Sequence, residues 1–187
     1  MPPYDARRTP NQNDFVGKAR ASAGSLIFLV LAPGVVAGFV PWWLTGWRMR
    51  EPLPYWLPMR VAGFIVLTFG IVALLHAFAC FVIEGLGTPA PVAPTERLVV
   101  GGLYRHIRNP MYLAVGATIV GQALALGQLF LLAYAAAFAV AVAAFVRRYE
   151  EPTLRRQFGE QYEAYRRAVP AWWPRREPWA ADKLDRF

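Results

Sequence analysis

Hydrophobic and polar positions along the chain divide sharply. Residues 21–47 carry no charged side chain, and neither do residues 61–83 or residues 109–146. A membrane crossing takes about 20 apolar residues, each adding about 1.5 Å of helix. The first two stretches therefore each predict one spanning helix. The third holds 38 residues. As one straight helix it would measure about 57 Å, against a hydrocarbon core of about 30 Å. It must fold back, and Gly127-Gln128 is the natural break. The expected result is a hairpin of helices over 111–126 and 129–146. The fold class read from this pattern is all-α, an integral membrane bundle of about four spans.

What separates the runs supports that reading. Trp42, Trp43, Trp47, Tyr55 and Trp56 cluster between the first two stretches with several prolines, the composition of an aromatic belt at the membrane–water boundary. Twenty polar-rich residues precede the first stretch, so it reads as a retained span rather than a secretory signal. Of 20 Lys and Arg residues, 17 fall on the side shared by the N-terminal tail, the loop before the third run and the C-terminal tail. The positive-inside rule places that side, with both termini, in the cytoplasm. The net charge of +8 is then a topology signal that also draws anionic lipid. It gives no support to nucleic-acid binding, which needs a basic stripe with stacking aromatics on a soluble module.

Composition narrows the chemistry. Hydrophobic residues make up 56% of the chain and the mean hydropathy is +0.29. A lone cysteine, Cys80, excludes a disulfide framework, and two histidines, His76 and His106, leave little for a metal centre. His76 falls inside the second run and Glu84 at its end, polar positions that in a membrane are functional candidates by default. For His76 a hydrogen bond to a neighbouring helix is the simpler expectation, and for Cys80 packing. Ala114, Ala117, Gly121 and the alanines from Ala135 to Ala144 predict close packing within the hairpin.

Two stretches carry candidate chemistry. Residues 85–112 open on Gly and Pro, so they form a loop, in which Gly101-Gly102 allows a turn or a close backbone approach. Tyr104, His106, Arg108, Asn109 and Tyr112 then crowd polar groups just before a span, and Pro110 suits a first helical turn. In the second stretch Glu150 and Glu151 stand side by side where the last span ends. Pro152 starts a helix on which Leu154, Phe158, Tyr162 and Tyr165 share a face, with Arg155, Arg156, Glu160, Glu163, Arg166 and Arg167 opposite. Alone, that is a basic amphipathic helix lying on a membrane. Adjacent acids at an anionic surface call for a cationic partner, which Arg147 and Arg148 would also supply.

Taken together the two stretches resemble the membrane methyltransferases that act on isoprenylcysteine carboxyl groups and on phospholipids. The first element of that pattern is met by Tyr104, Arg108, Asn109, Pro110, Tyr112 and Ala114. The second is met by Glu150-Glu151, Phe158-Gly159, Tyr162 and Tyr165. The likeness covers residues 85–174, which forms the catalytic region behind a tail (1–20) and N-terminal spans (21–84), with a polar tail (175–187) after it. Asn109 stands where the family pattern has His, which favours the phospholipid branch; Ala114 stands where it has Gly.

The resemblance implies S-adenosylmethionine as cofactor and a lipid-like acceptor, a phospholipid amine ahead of a prenylcysteine carboxylate. It implies cofactor contacts from Tyr104, Arg108, Asn109, Pro110, Tyr112, Glu150, Glu151 and Tyr162, and catalytic roles for His106, Arg108 and Asn109. A carboxylate meets the cofactor ammonium and Arg108 or a backbone N–H its carboxylate. A nicotinamide-dependent membrane reductase and a non-catalytic membrane adaptor are the competing classes.

Overall fold

A computed structural model describes residues 32–85 and 98–180. Among them every regular element is helical. A π-helical turn, Val35–Phe39, leads into α1 (Val40–Thr45). Then follow α2 (Leu57–Gly85), α3 (Pro110–Leu126), α4 (Phe130–Phe145) and α5 (Glu151–Ala168). Two helical runs are long and apolar enough to cross a membrane, Leu57–Cys80 and the run that begins with α4. The helix α3 is apolar but only 17 residues long, and the first uncharged stretch is described from residue 32 onward.

The hairpin forms where glycine permits it. Gly127 ends α3 at φ +67°, where a side chain would be strained and would run into the Arg50 carbonyl. The carbonyls left over at this end of α3 are met by the loop before α2 and by the first turn of α2. Trp56 Nε1–H donates to the Leu124 carbonyl at 2.9 Å, Arg60 Nε to that of Ala125 at 3.2 Å, and the Arg50 N–H to that of Leu126 at 2.8 Å. A cation at a helix C-terminus also opposes the helix dipole. The π turn before α1 is served in the same way: Gln122 Nε2 donates to the Ala37 carbonyl and Tyr134 to the Val36 carbonyl.

Tight packing lies elsewhere than in the hairpin. Most of the α4 alanines are exposed, Ala135 being the buried one. The close approach is between α2 and α3, where Gly63, Gly70 and Gly121 face backbone. A methyl built on Gly70 would sit 2.8 Å from the Thr118 nitrogen, and one on Gly121 2.6 Å from Leu67 Cα. Small residues win here because bulkier ones would hold the two backbones apart, and dispersion between close backbones is what joins helices in lipid.

The amphipathic helix also differs from expectation. It does not start afresh at Pro152 but continues α4 through a second π turn, Val146–Glu150, in which the Glu151 N–H reaches back to the Val146 carbonyl. Proline cannot donate, and the wider turn accommodates that loss. Gly159 (φ +50°, ψ −123°) then breaks α5, a conformation open to glycine alone. The break turns Tyr162 and Tyr165 inward. Leu154, Phe158, Tyr162 and Tyr165 do share one apolar cluster, with Val100, Val169 and Trp179 of the chain's own loops rather than with a bare membrane surface.

Candidate functional site

The site is assembled where three segments meet: the loop before α3, the α4–α5 junction, and an extended strap after α5. The loop is held on α2 by a glycine. A side chain on Gly102 (φ +50°) would run into Cys80 Sγ and His76 Nε2. Beyond it a 3₁₀ turn, Gly102–Arg105, buries Tyr104 against Ala77 and Val99.

The strap then ties the loop down along its length. The Arg108 N–H donates to the Pro170 carbonyl at 2.9 Å, the Arg175 N–H to that of His106 at 3.0 Å, and the Trp179 N–H to that of Arg105 at 2.9 Å. Arg105 Nε donates back to the Trp179 carbonyl at 2.7 Å, and Tyr165 to the Tyr104 carbonyl at 2.7 Å. Backbone groups removed from water need such partners, and here each segment supplies the other's.

Arg108 is the hub. Its Nη1 donates to Glu151 Oε1 at 2.9 Å and to the Tyr162 hydroxyl at 3.1 Å, while Nε donates to the Val169 carbonyl at 2.9 Å. The pair is nearly enclosed, with side-chain exposures of 12% for Arg108 and 16% for Glu151. Arg166 adds a second cation, 3.6 Å from Glu151 Oε2. Glu151 is thus neutralised twice.

Glu150 is treated differently. Its Oε2 accepts from the Tyr112 hydroxyl at 2.8 Å, a neutral partner on the first turn of α3. The uncharged stretch ends at Val146, one turn earlier. Burial, and then the negative charge of Glu151, hold the Glu150 carboxyl above the usual carboxylate range, against the opposing pulls of the Tyr112 hydroxyl and Arg108. The two acids, equivalent in the sequence and both half-buried, are separated by their partners: one is an ion-pair member, the other a carboxylate whose direct partner is a phenol.

The predicted residues divide accordingly. Arg108, Glu151 and Tyr162 are joined by direct bonds, as are Tyr112 and Glu150. Pro110 occupies the first position of α3. Tyr104 and Tyr162 are buried, whereas Tyr112 is partly open. His106 and Asn109 both turn to the strap: His106 Nδ1 lies 3.0 Å from the Arg175 carbonyl, and Asn109 Nδ2 donates to that of Ala171 at 3.2 Å. A carbonyl only accepts, so Nδ1 carries the proton and Nε2 of the neutral ring keeps a lone pair. The nearest partner of His76 is on its own helix, Cys80 Sγ at 3.7 Å from Nε2, not on a neighbouring one. Nothing is described of the Glu84 side chain or of residues 86–97, where the Gly- and Pro-rich half of the loop falls.

Sequence reasoning missed the strap. Its contribution is made largely through carbonyls and N–H groups, which have no side-chain signature; the only hint was the Trp and Pro content of residues 170–179.

Beside Tyr112 a cleft of about 370 Å³ opens between α3 and α4, lined almost wholly by apolar side chains and flanked by Trp172 of the strap. Among the described residues no cluster of His, Cys, Asp or Glu is arranged to hold a metal.

No curated protein and no solved structure is detectably similar to the chain. A family profile does match, that of the phospholipid methyltransferases, over residues 58–161. The match takes in α2, the loop with Arg108, the hairpin and the Glu150-Glu151 pair. The chain therefore belongs to the phospholipid methyltransferase family, integral membrane enzymes that transfer methyl groups to lipid-type acceptors.

Proposed function

We propose that this protein is an S-adenosylmethionine-dependent methyltransferase that modifies the amine headgroup of a phospholipid at the cytoplasmic face of the membrane. The observation that carries the reading is the asymmetry of the two acids. Glu151 is matched by Arg108 and Arg166, which leaves Glu150 as the half-buried carboxylate able to meet an incoming cation.

The residues fit the cofactor. Its amino-acid tail needs an anion for the ammonium and a donor for the carboxylate. Glu150 supplies the first, and Arg108 the second through Nη2, since Nε and Nη1 are engaged with Val169, Glu151 and Tyr162. Tyr112, bonded to Glu150 and open to the cleft, offers an aromatic face to a sulfonium. When bound, the cofactor supplies an electrophilic methyl group that leaves sulfur as a neutral thioether.

The chain's own part is orientation and the exclusion of water. Arg108 is fixed by the strap before any ligand arrives, so little ordering remains to be done on binding. An amine acceptor attacks only as the neutral base. On the loop, His106 has the lone pair of Nε2 to take that proton. Asn109 holds the strap through Ala171 and so keeps Arg108 in place. The basic side chains of the tails orient this end toward the cytoplasm, and a reporter fused after Phe187 that is active only outside the cytoplasm would reverse that.

The deciding experiment is incubation of purified protein with labelled methyl donor and total membrane lipid, followed by separation of products. Label in an ethanolamine-derived lipid, lost in Glu150→Gln, is the expected result. Label confined to a prenylcysteine ester overturns the acceptor, and donor binding that is equal in wild type and Glu150→Gln overturns the role of Glu150.

A further inference from the structure

The sequence pattern of α5 puts Arg155, Glu163 and Arg166 on the face away from the apolar stripe, where charged side chains need no explanation. The break at Gly159 changes their part. On an unbroken helix Arg166 would stand about 22 Å beyond Glu151. Across the break, its Nε lies 3.6 Å from Glu151 Oε2. Arg155 and Glu163, on opposite sides of Gly159, likewise close to 2.7 Å. The result is a chain of alternating charge that runs inward from the surface: Arg155, Glu163, Arg166, Glu151 and Arg108, with links of 2.7, 3.4, 3.6 and 2.9 Å. It holds three cations and two acids, with a cation at each end. Glu150 stands beside it on the Tyr112 hydroxyl. One positive charge of the chain is left over, and its inner cation, Arg108, is the one at the site.

One link is unfinished. Arg166 Nε is closed off from solvent and has no hydrogen-bond acceptor among the described residues. At 3.6 Å, Glu151 Oε2 attracts it as a charge but is too far away for a hydrogen bond. A buried N–H without an acceptor is costly and calls for a reason.

We infer that Arg166 is a positioning residue for donor binding: it shares Glu151 with Arg108, so that Arg108 keeps positive charge for the carboxylate of the methyl donor. The inference rests on the proposed function for the identity of the donor. With Arg108 as its sole partner, Glu151 would form a neutral pair, and a second carboxylate drawn to Arg108 would meet the Glu151 charge at close range. With Arg166 at Oε2, the added carboxylate makes the chain neutral instead. As Arg108 divides its charge between two acids, Glu151 leans toward Arg166, and the Nε–H gains the acceptor it lacks. Arg166 acts through Glu151 and not on the donor itself.

The test compares S-adenosylmethionine with its decarboxylated analogue, which keeps the sulfonium and the amine, by titration calorimetry on the full-length protein in nanodiscs. Wild type should bind the donor more tightly than the analogue. In Arg166→Gln, donor affinity should fall about tenfold, the worth of one charge-assisted contact, while affinity for the analogue holds. Arg166→Lys, which keeps the charge, should recover most of the loss. Equal losses for the two ligands make Arg166 merely structural and overturn the inference, as does a donor affinity that does not move. Wild type that binds neither ligand overturns the cofactor reading, and the role of Arg166 falls with it. Wild type that binds the donor leaves that reading standing whatever the variant does. Should Arg166→Gln fail to fold, wild type decides through the Arg166 Nε–H resonance, assigned with Arg166→Lys. It should move downfield and exchange more slowly on adding the donor but not on adding the analogue. The same response to both, or none to either, overturns the inference.

Discussion

The two ends of this molecule are held together by different means. Between α2 and α3 the contact is glycine against backbone, with Gly63, Gly70 and Gly121 admitting the facing helix and no charge involved. At the polar end the loop, the α4–α5 junction and the strap are joined by hydrogen bonds, most of them to backbone carbonyls, around the Arg108–Glu151 pair. The contrast follows from the surroundings. In lipid, apolar burial yields no net gain, so close shape is what remains to hold helices. At the membrane boundary, backbone groups and charges must be matched, and matching them fixes the positions of the side chains there.

The largest effect is expected from breaking the polar end at its hub. Arg108→Met leaves Glu151 nearly enclosed with only Arg166 at 3.6 Å. Removing one partner of a buried pair costs about 3–5 kcal/mol. Thermal unfolding in detergent should register this as a large loss of stability. A change under about 1 kcal/mol would mean the strap is held by its backbone bonds alone.

Next is Glu150, the acid without an ion-pair partner among the described residues. Glu150→Gln removes a charge-assisted contact worth about 1.5–3 kcal/mol, so donor affinity should fall tenfold or more with little change in unfolding temperature. Glu151→Gln should do the reverse, lowering stability more than affinity. In wild type, affinity should decline as pH falls through the Glu150 pKa, and it should do so at a higher pH than for an ordinary carboxylate, because burial raises that pKa and only the ionised form holds a cation. Titration calorimetry across pH reads both, and in Glu150→Gln this acid limb should be absent.

The membrane end is sharpened by a pair of matched substitutions. Gly121→Ala places a methyl against Leu67 Cα and should destabilise by about 1–3 kcal/mol. Gly116→Ala meets nothing closer than the Phe138 ring at 4.0 Å and should be neutral or stabilising by up to about 1 kcal/mol. Equal effects would erase the distinction between a packing glycine and an open one.

The smallest effect is a single bond in the polar end. Tyr165→Phe deletes the 2.7 Å bond to the Tyr104 carbonyl but keeps the ring against Trp179. A loss of about 1 kcal/mol is expected, with faster amide exchange at residues 104–108. Unchanged exchange would show that the loop is fixed from the α2 side.

The apolar runs could be read from the sequence because hydropathy over about 20 residues is a local quantity, and so could the break at Gly127, where a left-handed residue is needed. The polar candidates were also visible as side chains: Arg108, Tyr112, Glu150, Glu151 and Tyr162 all lie in one place. Local pattern could not decide what each does there. Glu150 and Glu151 have the same chemistry and adjacent positions, and only the folded surroundings make one the ion-pair partner of Arg108 and the other the acceptor of the Tyr112 hydroxyl. That His106 and Asn109 are tied to the strap, 60 to 70 positions away, has no signal in the sequence around them. The continuous α4–α5 helix depends on a π turn that absorbs Pro152, and the inward turn of Tyr162 on a backbone conformation at Gly159 that sequence permits without requiring. Composition determines which segments leave water; partners far apart in the chain, brought within 3 Å, determine what a charged side chain is for.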